Sequence, residues 1–373
     1  MEFNKSNWKS FKLIDVVTKM EENDRENAKN RFDRFLKVDH MDAESLHIKR
    51  WSSQKDGEEI NPYFYKIFRK DQVLFPTRNP HLKRTAVASF DGITGEKTLT
   101  LKPNENIVVK GFIPFLFHSE SFYKHTTNAI IGSTNPHVRW RDVANYQFLL
   151  PPKEEQERLS ELLWSIDGLI EKEIEMLNCL KKSELAYLKN YFFDNKASNR
   201  VKLKEIVSIK KGKQPSLLSS DGNGVPYCKA KYLRFGIIEE VVPEELLANS
   251  TLIEDNDIVV LWDGASGEIF KGKKGVLAST MSKLLIINKK FLRDYVFEFL
   301  RFRSDSISRT SVGSVIKHVD PTYFNNIQVP ELSMIEQEYI INLFDVLRKN
   351  IENLEIKIDK SKTLQKSIIN QIF

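Results

Sequence analysis

Gly132-Ser133-Thr134-Asn135-Pro136-His137-Val138, followed by Glu155-Gln156-Glu157, decides how this chain is read, because the pattern occurs twice. Gly313-Ser314-Val315-Ile316-Lys317-His318-Val319 stands 181 residues further on, and Glu336-Gln337-Glu338 follows it at the same offset. Each copy runs into about forty residues of helical pattern, ending in Phe192 and in Phe373, again 181 apart. A solenoid unit would repeat every 20 to 50 residues or so. The longer period predicts a tandem duplication, a pseudo-dimer made from one polypeptide. Gly132 and Gly313 read as backbone positions that need a positive φ. Ser133, Ser314, His137 and His318, paired by the repeat, read as fixing equivalent turns, and Glu155, Gln156, Glu336 and Gln337 mark the passage from domain to helix.

Composition sets outer limits. A chain of 373 residues, 41% hydrophobic, can bury two cores in domains of about 130 to 150 residues each. No apolar run approaches the roughly 18 residues of a membrane span, and Met1-Glu2-Phe3-Asn4-Lys5 lacks the apolar core of a signal peptide. Cys179 and Cys228, the only cysteines, offer neither a disulfide framework nor a structural zinc site. The expected setting is the reducing cytoplasm, with no membrane partner and no metal. The net charge of +6 is mild, but the basic residues cluster in the non-helical segments.

Each half runs in the same order: a strand-rich region, a proline stop at Pro151-Pro152 or Pro330, then a long helix. Ile107-Val108-Val109, Asp257 to Leu261 and Lys283 to Ile287 are short, β-branched and flanked by Gly, Asn or Asp, so strands are expected there. In the second helix Ile340, Phe344, Leu347, Ile351, Leu354 and Ile358 alternate by four and three, a coiled-coil seam. The first offers Leu159, Leu163, Ile166 and Ile170, then Glu173 off-pattern, then Leu177 and Leu180. Two amphipathic helices packed each on its own domain would be the plainer reading. Their length opposes it, since forty residues at 1.5 Å make about 60 Å. Direction follows from the linker: Asp194 to Arg200 stretches at most about 25 Å, too little to run back along a helix. The helices should pair antiparallel, with one mixed α/β (α+β) domain at each end, and Phe373 should finish near the domain of Met1.

Basic residues interleave with aromatics and glycines in both halves. In the first are His47 with Lys49, Arg50 and Trp51, then Arg78, Asn79, His81, Lys83 and Arg84. In the second are Lys210, Lys211, Lys213 and Gln214, then Lys229, Lys231 and Arg234, then Lys271, Lys273 and Lys274. Lysine and arginine neutralise phosphates, while Arg, Asn and Gln reach base edges of distinct donor and acceptor pattern. A single charge run is ordinarily a solvated face; recurrence in both halves points to nucleic acid. Catalytic readings fail by comparison. Gly267-x4-Gly272-Lys273 imitates a phosphate loop but has Lys274 where a hydroxyl is needed. Asn61-Pro62-Tyr63-Phe64 lacks the second proline of a methyltransferase loop and reads as a turn. There is no Pro-Asp dipeptide of a restriction-type nuclease core, and the seven histidines show no i, i+4 metal spacing.

These residues carry a resemblance. The order of basic-aromatic domain, Gly-Ser loop, proline stop before Glu-Gln, long helix, and the same again is similar to the specificity (S) subunits of type I restriction-modification enzymes, over about Lys9 to Phe373. Lys202-Leu203-x-Glu205-Ile206-Val207-x-Ile209-x-x-Gly212-Lys213 and Leu261-Trp262-Asp263-Gly264-Ala265-Ser266-Gly267 resemble the openings and central loops of their target recognition domains. Val38 to Leu46 with Lys49-Arg50-Trp51 resembles another group of such domains. The resemblance implies target recognition domains over residues 1–150 and 197–330, with conserved helical regions over 151–196 and 331–373. It implies a non-catalytic subunit that binds duplex DNA at a two-part site and docks two modification subunits, with restriction and translocase subunits joining the full complex. Adenine N6 methylation and ATP-driven cleavage, with S-adenosylmethionine, ATP and Mg2+, would reside on those partners, and no cofactor on this chain. A subunit serving a fused restriction-methylation enzyme fits the same residues. A coiled-coil scaffold without sequence-specific binding is the alternative from another class. Two departures stand out. The first half lacks a counterpart of Gly212-Lys213-x-Pro215, so the halves should read different sequences. Pro330 precedes Glu336 by six residues but Pro152 precedes Glu155 by three, so the two junctions are expected to differ in detail.

Overall fold

A computed structural model describes residues 3–194, 199–264, 266–313 and 317–373; Ser314 lies outside the described residues. The chain forms two compact units, Met1–Glu175 with Glu355–Phe373, and Met176–Leu354. Among the described residues, no helix is long and apolar enough to cross a membrane.

The duplication read from two short motifs extends to the whole sheet topology. In the first unit an antiparallel sheet runs in the order Val17–Met20, Thr98–Pro103, Val73–Pro76, Ala86–Val87. The second unit repeats it with Val207–Lys211, Met281–Ile286, Ile258–Leu261, Ile269–Lys271. A second sheet orders Ser52–Ser53, Arg34–Leu36, Gly92–Gly95, Phe64–Phe68, and its counterpart orders Val241–Val242, Val225–Cys228, Gly275–Leu277, Leu252–Ile253. Even the single parallel pairing recurs, with Phe35 opposite Ile93 and Tyr227 opposite Val276. At that pairing a Cβ on Gly92 would lie 2.7 Å from Arg34 O, and one on Gly275 would lie 2.5 Å from Pro226 O. Glycine is required at both places by close approach of the neighbouring strand. A short antiparallel pair closes each unit, Lys9–Lys12 with Gln147–Leu150 and Arg200–Lys202 with Gln328–Pro330.

Val73–Pro76 and Ile258–Leu261 are buried at every position. Covered on both faces, they read as unbroken apolar runs with no polar alternation. Strands also form within the expected segments around Asp257 and Lys283. The expectation of a strand at Ile107–Val109 is corrected: this is a turn, in which the Ile107 and Val108 N–H groups both donate to Asn104 O at 2.9 Å. Asn104 opens it by accepting the Asn106 N–H on its side chain, the local bond by which asparagine favours turns over ladders. Asn61 likewise accepts from the Tyr63 N–H at 2.9 Å, making the expected turn. Gly267 to Lys273 contains the strand Ile269–Lys271, so the phosphate-loop likeness has no loop behind it.

The long helices span Lys153–Lys189 and Met334–Ile372, and the first widens into a π-helical turn over Asn190–Asp194. Glu154 and Glu155 occupy the first turn of one, favourably placed for the helix dipole. The other begins in a reciprocal cap: the Ser333 N–H donates to the Glu336 carboxylate at 2.9 Å, and the Glu336 N–H donates to Ser333 Oγ at 3.3 Å. Ile340, Phe344, Leu347, Leu354 and Ile358 of the expected seam are buried, and Ile351 is half-buried.

Within the first unit the helix segments are antiparallel, because Asp167 meets Gln365 at 3.3 Å while Glu173 meets Lys357 at 3.2 Å. The off-pattern Glu173 is thereby explained: it is buried in the seam opposite a lysine. The end of the second helix docks on the first unit's core as expected. Phe373 packs its ring 5.1 Å from Phe112, Ile369 and Ile372 are buried in that core, and Lys5 Nζ donates to Ile372 O at 3.1 Å. In the second unit the repeat-related Phe192 is buried against Phe299, Phe344 and Tyr295.

Candidate nucleic-acid interface

The Gly-Ser motifs are flanked by the same backbone pair in both units. Ile131 and His137 exchange backbone hydrogen bonds of 2.9 and 3.0 Å, and Val312 and His318 exchange bonds of 2.9 and 2.8 Å. Gly132 and Gly313 have φ of +82° and +112°, the left-handed region expected for them. Ser133 is exposed at the tip of its loop.

Each loop then leans on a second loop by an identical pattern. In the first unit the Val138 N–H donates to Thr77 O at 3.0 Å and the Asn79 N–H to Pro136 O at 3.1 Å. In the second the Val319 N–H donates to Trp262 O and the Gly264 N–H to Lys317 O, both at 2.9 Å. Arg78 opposite His137 and Asp263 opposite His318 therefore occupy the same place in the fold. Sequence comparison misses this equivalence, since the offset is 185 residues and the charges are opposite.

Arg78 is exposed, and its guanidinium has no partner among the described residues. It borders a cleft of about 420 Å³ with Val38, Asn61, Tyr63 and Lys97, where Tyr63 is 68% exposed. Beyond Arg78 the turn Pro80–Leu82 is bracketed by Asn79 and Lys83, both in the left-handed region at φ 50° and 52°. Side chains hold it there. Lys83 is shared between Glu44 at 3.1 Å and Glu120 at 2.7 Å, and Arg84 donates to Val38 O at 3.1 Å. Lys366 also reaches Glu120 at 2.7 Å; its hydrogen bond and that of Lys83 hold the Glu120 carboxyl below the usual range. His81 is left exposed.

The loop around residue 50 is tied to the first long helix. Lys49 pairs with Glu171 at 2.7 Å, and His47 Nε2 contacts Asp167. Arg50 pairs with Asp42 and donates to Asp39 O. Trp51, 41% exposed, has the Arg34 guanidinium 4.5 Å from its ring centroid and meets Phe90 edge-on.

In the second unit the candidate cations divide in two. Lys210, Lys213 and Lys274 are exposed with no side-chain partner among the described residues. Lys229 pairs with Glu240, Lys231 with Glu239 at 2.7 Å, Arg234 with Glu268 at 2.8 Å and Lys271 with Asp294 at 3.5 Å. Lys273 donates to Tyr232 O at 3.1 Å, and Gln214 accepts from the Tyr227 hydroxyl at 2.9 Å. Lys211 lies 3.6 Å from Asp263, whose other oxygen meets His318 Nδ1 at 2.7 Å. Exposed pairs of this kind contribute about 0 to 1 kcal/mol, so phosphates can compete for these cations. Phe235, at 69% exposure, ends the short helix Ala230–Phe235 that carries Lys231 and Arg234, and Ile238, at 52%, follows it. Nothing in their residue type distinguished them from core, and the basic patterns did not include them.

The two junctions share one glutamine clamp despite the shifted proline and differ in their flanking glutamates. Gln156 accepts the Val109 N–H at 2.9 Å and donates to Ile107 O at 3.3 Å and Pro151 O at 2.9 Å. Gln337 accepts the Leu292 N–H at 2.8 Å and donates to Lys290 O at 2.8 Å and Leu332 O at 2.9 Å. The clamp uses backbone groups, so it tolerates Leu332 where the first copy has Pro151. The flanking glutamates do differ: Glu155 accepts from Trp8 Nε1 at 3.1 Å, while Glu336 caps its own helix.

The family described as type I restriction modification DNA specificity domain matches the chain twice, at residues 5–180 and 195–361. The MjaVIII type I restriction enzyme specificity subunit of Methanocaldococcus jannaschii is 31% identical over 176 residues, covering 46% of this chain and 41% of that protein. The MjaIX specificity subunit of the same archaeon is 19% identical over 333 residues, 81% of this chain and 74% of that one. The type I restriction-modification system S subunit from M. genitalium shares the fold, with a TM-score of 0.64 at 14% identity over 100% of this chain and 98% of its own.

Proposed function

The chain belongs to the type I restriction modification DNA specificity domain family, and from that premise we propose that it is a non-catalytic specificity subunit reading a two-part duplex DNA target. Residues 1–150 would form one target recognition domain and 197–330 the other. The helical regions 151–196 and 331–373 would set the spacer and offer surfaces to two modification subunits. Adenine N6 methylation and ATP-driven cleavage, with their S-adenosylmethionine, ATP and Mg2+, would belong to modification and restriction subunits.

One observation carries this reading. The same sheet topology and the same pair of loops occur in both units, yet the loops carry Arg78 in one and Asp263 in the other. A duplicated scaffold with unlike side chains at its contact loops is what two different half-sites require. Arg78, Lys210, Lys213 and Lys274, whose side chains have no partner among the described residues, supply donors for phosphates and base edges. A scaffold protein would have no use for this asymmetry.

The test is selection from a random duplex pool by the chain assembled with its modification subunits. Enrichment of two short stretches at a fixed spacing is expected. An unselected pool, retained by charge alone, would remove sequence recognition from the account.

A further inference from the structure

Building on the two-part recognition proposed above, we infer that Arg78 and His318 are the specificity-determining residues of equivalent places in the two units, and that Asp263 positions His318. The pairing of Thr77-Arg78-Asn79 with Pro136-His137-Val138 is repeated by Trp262-Asp263-Gly264 with Lys317-His318-Val319, bond for bond. One small cross-linked platform is therefore presented twice, with different chemistry on it.

In the first unit His137 is turned back on its own loop, with Nδ1 2.9 Å from Asn135 O. That leaves Arg78, exposed and without a partner among the described residues. Its fork of donors fits the O6 and N7 acceptors of guanine. Two other candidate arginines are already paired, Arg50 with Asp42 and Arg234, on the helix Ala230–Phe235, with Glu268.

In the second unit the place of Arg78 is taken by Asp263, and the roles exchange. Its carboxylate can only accept, so the 2.7 Å contact with His318 Nδ1 puts the proton on that nitrogen. Lys211, 3.6 Å away, faces the second carboxylate oxygen. His318 is thereby turned outward with its side chain 48% exposed, and Nε2 remains as an acceptor in the neutral ring. An acceptor is complementary to the exocyclic amines of adenine and cytosine, the opposite of what Arg78 recognises. The halves thus read bases of opposite hydrogen-bonding character at corresponding positions.

The test is methylation mapping of cells carrying the whole system with R78Q, D263N, D263E or H318Q. R78Q should relax one guanine of one half-site, by about tenfold in discrimination, and leave the other half-site untouched. D263N and H318Q should relax one and the same adenine or cytosine position of the other half-site, with D263E closer to wild type. The unaffected half-site reports in each case that the variant is folded. An even loss of methylation at all sites, or effects of D263N and H318Q at different positions, would overturn the inference. A wild-type system that methylates no two-part motif would instead overturn the reading on which it rests.

Discussion

His47 Nε2 lies 2.5 Å from Asp167 Oδ2, joining a loop of the candidate interface to the first long helix through a carboxylate that is 8% exposed. The hydrogen bond that His47 donates to Asp167, helped by the charge of the carboxylate, outweighs the cost of burial and raises the His47 pKa above its ordinary value. A raised folded pKa means that the native state holds the proton more tightly than the unfolded chain. The stabilisation is complete below about pH 6.5 and disappears as pH rises through the folded value. H47Q should therefore melt below wild type in mild acid, and the gap should narrow as pH rises. A gap independent of pH would deny the ion pair.

Gln156 and Gln337 predict a second effect. Each is buried and satisfies one N–H and two carbonyl groups of its own unit. Alanine would leave buried backbone groups unpaired, costing about 1 to 3 kcal/mol at either position. Glutamate should cost more, because its oxygens would face the carbonyls that the amide now serves. Denaturant unfolding of the four variants measures this, and the alanine losses at the two positions should be alike.

These two relationships also mark how far the sequence could be read. Repeats at Gly132 and Gly313 and at Gln156 and Gln337 revealed the duplication, because turn glycines and clamp residues depend on side-chain identity. Helix length and the seam from Ile340 to Ile358 were legible from periodicity alone. Ile107–Val109 misled, since a β-branched run is equally compatible with a turn once Asn104 draws two N–H groups to its carbonyl. The proline offset before Glu336 showed in the flanking glutamates but not in the glutamine clamp, which binds backbone. The equivalence of Arg78 and Asp263 had no sequence signal: backbone bonds create it, and the residues share neither charge nor offset. Basic clusters pointed to exposed segments, but the partners that engage Lys49 and Arg234, Glu171 and Glu268, come from residues distant along the chain.

The docking of Phe373 gives a third prediction. Lys5 Nζ reaches Ile372 O at 3.1 Å, and Ser121 Oγ donates to Phe373 O at 2.9 Å. A short flexible link from Phe373 to Met1, with new ends opened between Asp194 and Arg200, should preserve folding and DNA binding. A permuted chain that fails to fold would contradict the placement of the second helix's end on the first unit.

Charge provides a fourth. If Arg78, Lys210, Lys213 and Lys274 meet phosphates or bases, binding should weaken steeply with salt. Each lysine replaced by glutamine should lower the log–log slope by about 0.9. Lys231, already paired with Glu239, should lower it less. Binding measured across a salt series checks both statements, and slopes unchanged by all three lysine replacements would contradict phosphate contact.

The most direct measurement is the adenine methylation pattern of a host genome with this chain present, deleted and restored, its modification partner being kept throughout. The account predicts one asymmetric motif of two short specified stretches around an unspecified spacer, lost on deletion and regained on restoration. A methylation pattern indifferent to the chain, or a single uninterrupted motif, would contradict it.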